Sequence, residues 1–189
     1  MEEAASLPDI DRALAQRLHR LRTSRGWSLD ELARRSGVSR ATLSRLERVE
    51  VSATAAVLGR LAAAFGLTPS RLLQLAEDEG APLVRRQEQP LWVDPETGFR
   101  RRSVSPPAAG FVGEVIEGVL PAGVRLVYPA PPQSGLEHHL VLLEGALMLE
   151  VAGKAHRLEP GDCLRFRLTG ANAFATPADQ AARYLLFVL

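Results

Sequence analysis

The feature that most constrains this chain is a change of hydrophobic period about two-fifths of the way along it. Through residue 76, apolar positions recur at three- and four-residue spacing, as in the stripe Ile10, Leu14, Leu18 and Leu21. That spacing gives a helix one apolar face. After an acidic, glycine-containing break at residues 77–80, the segments become proline-punctuated and rich in Val, Leu and Phe, and the period falls to two. Alternation of that kind belongs to strands. One pattern cannot serve both halves, so the 189 residues divide into an α domain and a β domain, with 46% apolar residues to build the cores. The expected division is 1–76, then a linker with the first strands at 77–108, then the main β domain at 109–189.

The helical half carries its own start and stop signals. Ser28 followed three residues later by Glu31 reads as a capping box, in which hydroxyl and carboxylate satisfy backbone donors reciprocally, so a second helix begins there. Gly37 stops it, and Ser39 caps a third helix whose inward positions are Leu43 and Leu46. Ser52 is expected to open a fourth helix (Leu58, Leu61, Ala62, Phe65) that Gly66 ends. Thr68-Pro69 caps a fifth, carrying Leu72, Leu73 and Leu75.

In the second half, Leu91-Trp92-Val93 and residues 99–104 flank the turn-forming Asp94-Pro95-Glu96-Thr97-Gly98, which predicts a hairpin. Further strands are expected at 111–120, 124–128, 138–143, 146–151, 155–158, 163–168 and 183–188. Strands this short and evenly spaced indicate a closed or sandwiched antiparallel domain.

Composition narrows function less than pattern does. A formal charge of +1 gives no global attraction to nucleic acid, so any DNA-binding face has to be local. The bias of 22 arginines to one lysine, Lys154, reads as genome composition as much as function. Cys163 is the only cysteine, which excludes an internal disulfide. With no 18-residue apolar stretch or basic-then-apolar leader, the expectation is a reducing, cytoplasmic setting and no membrane partner.

Within residues 28–47, Ala33, Gly37, Val38 and Leu43 fall where a helix-turn-helix needs small, turning or apolar groups. The stretch resembles the phage-repressor-like (Xre-type) helix-turn-helix family, and the resemblance runs over residues 10–75, all five helices. It implies a five-helix, lambda-repressor-like DNA-binding domain. Val49 departs from it, standing where many relatives have the glycine that closes the third helix.

A recognition helix of this family lays its first exposed residues in the major groove, here Arg40, Ala41 and, one turn on, Arg45. Arg45 is the candidate base reader, since a guanidinium gripping guanine O6 and N7 contributes about 1 to 3 kcal/mol of discrimination. Arg40, at the helix start, suits a base or a phosphate. Ser28, Ser39, Thr42 and Ser44 are short donors suited to phosphate oxygens, and the backbone N–H groups at the two helix starts add to that anion site. Such arginines can also form a merely solvated face. The five-helix pattern and the lack of acids between Arg40 and Arg45 favour DNA, with Glu47 expected to pair with an arginine inside the domain.

Residues 109–189 resemble the cupin family, an antiparallel β-barrel or jelly roll, through the strand into Leu143-Glu144-Gly145, then Pro160-Gly161-Asp162, then Ala173-Phe174 and Ala182-Arg183-Tyr184-Leu185-Leu186. Metal-binding cupins present two histidines one residue apart, a glutamate, and a distant third histidine. The resemblance puts Pro131, Pro132, Gln133 and Ser134 over the pair, His138 at the glutamate, Asn172 at the third histidine and Thr176 at a common asparagine. That set implies no bound metal, no cofactor and no catalytic residue. Adjacent strand residues face opposite ways, so His138 and His139 share a metal only across a bulge. His138 is then a hydrogen-bonded core histidine or a contact for a small ligand, with Asn172, Tyr128, Phe174 and Thr176 as neighbours if the register holds. His19 and His156 have no partner identifiable by sequence, and Cys163 reads as a packed small residue.

An Xre-type domain followed by a cupin-like barrel resembles bacterial transcriptional regulators in which the barrel senses or dimerises. The expectation is a homodimeric, sequence-specific regulator of a double-stranded DNA operator, a repressor in preference to an activator, with a small-molecule effector as candidate occupant of the barrel. The rivals are a cupin enzyme carrying a DNA-binding domain, which the replaced ligands oppose, and an antitoxin-like regulator whose barrel binds a protein.

Overall fold

The computed structural model describes residues 7–73, 82–108, 111–131 and 135–189; Leu75, residues 77–80 and residues 132–134 lie outside them. Five helices come first: α1 (Leu7–Ser24), α2 (Leu29–Ser36), α3 (Arg40–Glu47), α4 (Ala55–Phe65) and α5 (Pro69–Leu73). The last four, of 8, 8, 11 and 5 residues, are too short to persist alone in water. All five are held by burial of Ile10, Leu14, Leu18, Leu32, Leu43, Leu46, Leu58 and Leu61 in one core, at about 1.5 to 3 kcal/mol per fully buried aliphatic side chain.

The caps are mostly where the sequence signals them. Ser28 Oγ accepts the Glu31 N–H and Ser39 Oγ the Thr42 N–H, each at 3.1 Å. Gly37 and Gly66 close their helices at φ 67° and 65°. Two expectations are corrected. The Glu31 carboxylate does not reach back to Ser28; it is drawn forward to Arg34 at 2.7 Å and Arg35 at 2.6 Å, cations that bind it more strongly than a backbone N–H. The fourth helix starts at Ala55 under a Thr54 cap, whose Oγ1 accepts the Val57 N–H at 3.3 Å, because the Ser52 hydroxyl is taken by Asp11 of α1. At Val49 the backbone keeps the glycine conformation without the glycine. Its φ is 60°, its N–H reaches the Leu46 carbonyl at 3.0 Å, and the Glu50 N–H reaches the Arg45 carbonyl at 2.9 Å. Those are the two bonds of a Schellman C-cap.

Ten strands follow a 3₁₀ turn at Arg86–Glu88: β1 (Leu91–Val93), β2 (Arg100–Ser105), β3 (Glu114–Leu120), β4 (Arg125–Tyr128), β5 (Glu137–Gly145), β6 (Leu147–Val151), β7 (Lys154–Leu158), β8 (Cys163–Arg167), β9 (Asn172–Ala175) and β10 (Ala182–Val188). They form two antiparallel sheets, ordered β1-β2-β3-β10-β5-β8 and β4-β9-β6-β7. The sheets pack face to face in a jelly-roll layout, with Phe174 of β9 stacked on Tyr184 of β10 at 5.8 Å, and do not join into one closed barrel. Strand β9 is the one that periodicity does not signal. Three of its four residues, Asn172, Ala173 and Ala175, have weak strand preference, and it exists because β4 and β6 pair with it on both sides. Cys163 is exposed where β8 begins and is not packed, since β8 is an edge strand. Gly118 faces Tyr184 across β3 and β10, and a Cβ there would lie 2.2 Å from the tyrosine Cζ, so only glycine lets that ring cross the strand.

The two domains meet through specific polar contacts. Asp94, in the β1–β2 turn, accepts the Ala55 N–H at the start of α4 at 3.1 Å. Arg101 Nη2 donates to Ser70 Oγ of α5 at 2.7 Å, and Thr68 Oγ1 donates to Glu114 Oε1 of β3 at 2.8 Å. Gly59 of α4 lies against Tyr128 so closely that a Cβ would be 2.8 Å from its Cδ1. The segment expected as a connector therefore completes the edge of the larger sheet and caps a helix of the other domain.

Candidate DNA-contacting face and sheet-domain cavity

On α3, Leu43 and Leu46 are buried, which turns the opposite side of the helix to solvent. Arg40 and Arg45 stand there with side chains 64% and 56% exposed, beside exposed Ala41. Thr42 and Ser44 are half-buried and Ser28 and Ser39 exposed; the Ser39 and Thr42 hydroxyls share a hydrogen bond at 2.8 Å. The structure thus brings all seven sequence-predicted residues to the α2–α3 region. It adds two acids that no spacing on α3 signals: Asp30 at 3.3 Å from Arg40 and Glu50 at 3.9 Å from Arg45. Exposed pairs of this kind contribute about 0 to 1 kcal/mol, so both guanidinium groups remain free to exchange partners.

Glu47 does what its position past the arginine face suggests. It accepts from Arg22 Nε at 2.7 Å and Nη2 at 2.8 Å and lies 3.1 Å from His19 Nδ1, while Arg22 Nη1 donates to the Trp27 carbonyl at 3.0 Å. Burial alone would raise the Glu47 carboxyl, but the Arg22 and His19 hydrogen bonds outweigh it and hold it below the usual carboxylate range. His19, without a partner by sequence, gains one here. The cluster fixes α3 to α1.

Between the sheets, at the end facing the helices, lies a cavity of about 90 Å³ lined by His138, Asn172, Tyr128 and Phe174. Thr176 is not brought to it. It lies past the end of β9, where its hydroxyl donates to the Pro121 carbonyl and accepts the Val124 N–H at 3.1 Å, fixing the turn into β4. His138 points inward, packs edge-on against Phe166 at 5.1 Å and has no protein partner at Nδ1. His139 faces the other way, 2.9 Å from Glu137 Oε1. Strand alternation holds at this point, and the one irregularity of the β5–β10 ladder falls between Arg183 and Tyr184. Burial, reinforced by the nearby Arg101 charge, pushes the His138 pKa down to about 4, so the imidazole is neutral near pH 7.

Sequence reasoning missed Arg101 and Tyr184, which line the same cavity with Gly59, Thr68 and Pro69 of the helical domain. One signal was available. In Arg100-Arg101-Arg102 on a strand, the middle residue must face opposite to its neighbours. Arg100 is exposed and Arg102 pairs with Glu117 at 3.3 Å, whereas Arg101 is 9% exposed and faces inward. Burial lowers the Arg101 pKa against the pull of Glu114, and burial pushes Tyr128 up to about 12 and raises Tyr184 as well. One imidazole beside a guanidinium does not fit the divalent metal that the cupin resemblance brings to mind, because a metal needs several lone pairs and no adjacent cation. Among the described residues no three His, Cys, Asp or Glu side chains converge.

Comparison with known proteins places this geometry. Residues 18–72 match the helix-turn-helix family model HTH_3. The chain is 27% identical over 184 residues to the HTH-type transcriptional regulator SutR of Escherichia coli (strain K12), covering 94% of this chain and 95% of that protein. It is 35% identical over 72 residues to a Neisseria hypothetical transcription factor from Neisseria meningitidis serogroup B, covering 36% of this chain and 68% of that protein. A crystal structure of an HTH_3 family transcriptional regulator from Vibrio cholerae superposes with a TM-score of 0.77 at 25% identity, over 97% of this chain and 98% of that one. No helix among the described residues is long and apolar enough to cross a membrane. With the matched helices being those that present Arg40 and Arg45, and with the likeness to regulators extending over both domains, the chain belongs to the helix-turn-helix HTH_3 family of transcriptional regulators.

Proposed function

We propose that this protein is a homodimeric repressor that reads a palindromic operator with α3, and that its sheet domain, without catalytic activity, joins two copies and holds a small-molecule effector at the His138 cavity. The observation that carries the DNA reading is the exposed pair Arg40 and Arg45 on an α3 face with no acid of its own, flanked by the capped starts of α2 and α3. Arg45 serves as base reader, Arg40 as base or phosphate contact, and Ser28, Ser39, Thr42 and Ser44 as phosphate contacts beside Ala41. Repression asks only that the bound protein occlude a promoter. One helix-turn-helix covers a half-site, so a second copy supplies the matching contacts. The outer face of the larger sheet supports that pairing, since Val115, Val141, Leu185 and Phe187 lie there only partly covered.

The test starts from duplexes selected out of random DNA. Arg45→Ala is expected to weaken binding to the selected duplex and flatten its preference over a shuffled one, whereas Thr42→Ala weakens both alike. Equal loss on both duplexes for Arg45→Ala removes it as a base reader. Sedimentation of the full chain as a monomer at micromolar concentration removes the dimer.

A further inference from the structure

We propose that the cavity between the sheets is a binding site for a small monocarboxylate, anchored by Arg101, and that its occupant bears on both domains at once. The inference rests on reading the sheet domain as effector-binding and names the class of effector.

Arg101 is the starting point. It is nine-tenths buried and lines the cavity; among the described residues its hydrogen bond is the one from Nη2 to Ser70, and Nη1 has no partner. A guanidinium carries five N–H donors, and a buried one left with a single neutral acceptor is costly unless an anion completes it. The carboxylate that acts on it, Glu114, already accepts from Thr68 at 2.8 Å and lies 3.7 Å from Arg71. Glu114 offsets part of the guanidinium charge from a distance, with its own Oε2 unpartnered, but among the described residues it forms no ion pair with Arg101, whose Nη1 is left without an acceptor.

The rest of the lining sets the shape and charge of the occupant. His138 is neutral near pH 7 and offers an unpartnered Nδ1, Asn172 is 6% exposed, and among the described lining residues the one full charge is that of Arg101, so the fit is to one negative charge. A dianion would be left half-neutralised in a buried site. Ile116, Leu136, Leu168 and Leu186 form an apolar wall, which suits a short hydrocarbon. At about 90 Å³ the cavity is smaller than the roughly 150 Å³ engineered cavity that accepts benzene, which suits a short chain of about two to four carbons.

The wall on the helical side makes the site regulatory in form. Thr68 and Pro69 of the α5 start and Gly59 of α4 line it, and the guanidinium that meets the carboxylate is the one that holds Ser70. An occupant thus binds best when α4 and α5 are seated on the sheets. Such unequal affinity for two arrangements is what an effector needs in order to shift an equilibrium.

The full chain is titrated calorimetrically with sodium acetate, propionate and butyrate, against propionamide, sodium chloride, sulfate and phosphate. Saturable binding of at least one carboxylate, with none by propionamide, is expected. Arg101→Gln should weaken it at least about tenfold, the size of one lost charge-assisted hydrogen bond. His138→Phe, which keeps the ring against Phe166, should also weaken binding and serves if Arg101→Gln does not fold by circular dichroism. No saturable carboxylate binding, equal binding of propionamide, or tighter binding of sulfate or phosphate overturns the proposal. Operator titrations with and without the bound carboxylate separate it from the reading beneath it. A chain that binds operator but no carboxylate loses the site and remains a regulator; carboxylate binding that leaves operator affinity unchanged keeps the site and overturns the effector role.

Discussion

Glu47→Ala tests whether α3 is held in place by the cluster beneath it. The Glu47 and Arg22 side chains are 11% and 13% exposed and joined by bonds of 2.7 and 2.8 Å. Removing the carboxylate leaves Arg22 with the Trp27 carbonyl and His19 Nδ1, 3.2 Å from Nη2, as its remaining partners. Breaking a buried pair costs about 3 to 5 kcal/mol. Because Arg22 keeps those two partners and some water, the low end applies, about 3 kcal/mol, a large share of the roughly 5 to 15 kcal/mol that stabilises a typical domain. Urea denaturation at pH 7 in a Trp92→Phe background, followed by fluorescence of Trp27, which stacks on Phe65 at 5.4 Å, reads the loss in the helical domain. Arg22→Met combined with Glu47→Leu should recover most of it, since apolar replacements leave no buried charge unpaired. The carboxyl is held below its ordinary value of about 4.5, so its contribution is complete above that pH and is lost as the pH falls through the lower folded value. The gap between wild type and Glu47→Ala should close there. A loss under about 1 kcal/mol at pH 7, the size of an exposed pair, or a gap unchanged in acid, would refute the reasoning.

Val49→Gly should stabilise the protein, because a β-branched residue at φ 60° is strained and glycine is not. A net gain of about 1 kcal/mol would raise the midpoint by roughly 2 to 4 °C for a chain of this size; a midpoint that stays or falls on a thermal scan speaks against it. His138, with its pKa at about 4 in the fold against an ordinary 6.5, is protonated more readily when unfolded, so stability drains away as the pH drops from about 6.5 toward 4. His138→Phe should lack that slope in thermal midpoints measured across the window, and identical slopes for the two chains would exclude His138 as its source.

What the sequence reveals about this protein is what local chemistry dictates. The helical stripes, the glycine closures at 37 and 66, and the strand alternation that separates His138 from His139 are all decided within a few residues. Errors arise where a distant group enters. Ser52 loses its cap role to Asp11, 41 residues away. Strand β9 is made a strand by neighbours on β4 and β6, and Thr176 leaves the cavity because the Pro121 carbonyl takes its hydroxyl. Glu31 shows that even a local motif can be overridden, when Arg34 and Arg35 compete for the same carboxylate.

Arg101 joins both kinds of information. Alternation on β2 is enough to send it inward, but its partners come from α5 and from strands far along the chain, so no spacing announces the cavity. The physical consequence reaches toward DNA. Ser70 and Thr68 tie α5 to the sheets, Asp94 caps α4 from the sheet side, and α4 touches the α2–α3 turn through Arg60, whose Nη1 lies 3.5 Å from the Gly37 carbonyl. A change in how α4 and α5 sit on the sheets therefore has a continuous packed route to the turn that sets the angle of α3. In the effector reading proposed above, an occupant of the cavity would meet that route at its first contact, Arg101 with Ser70.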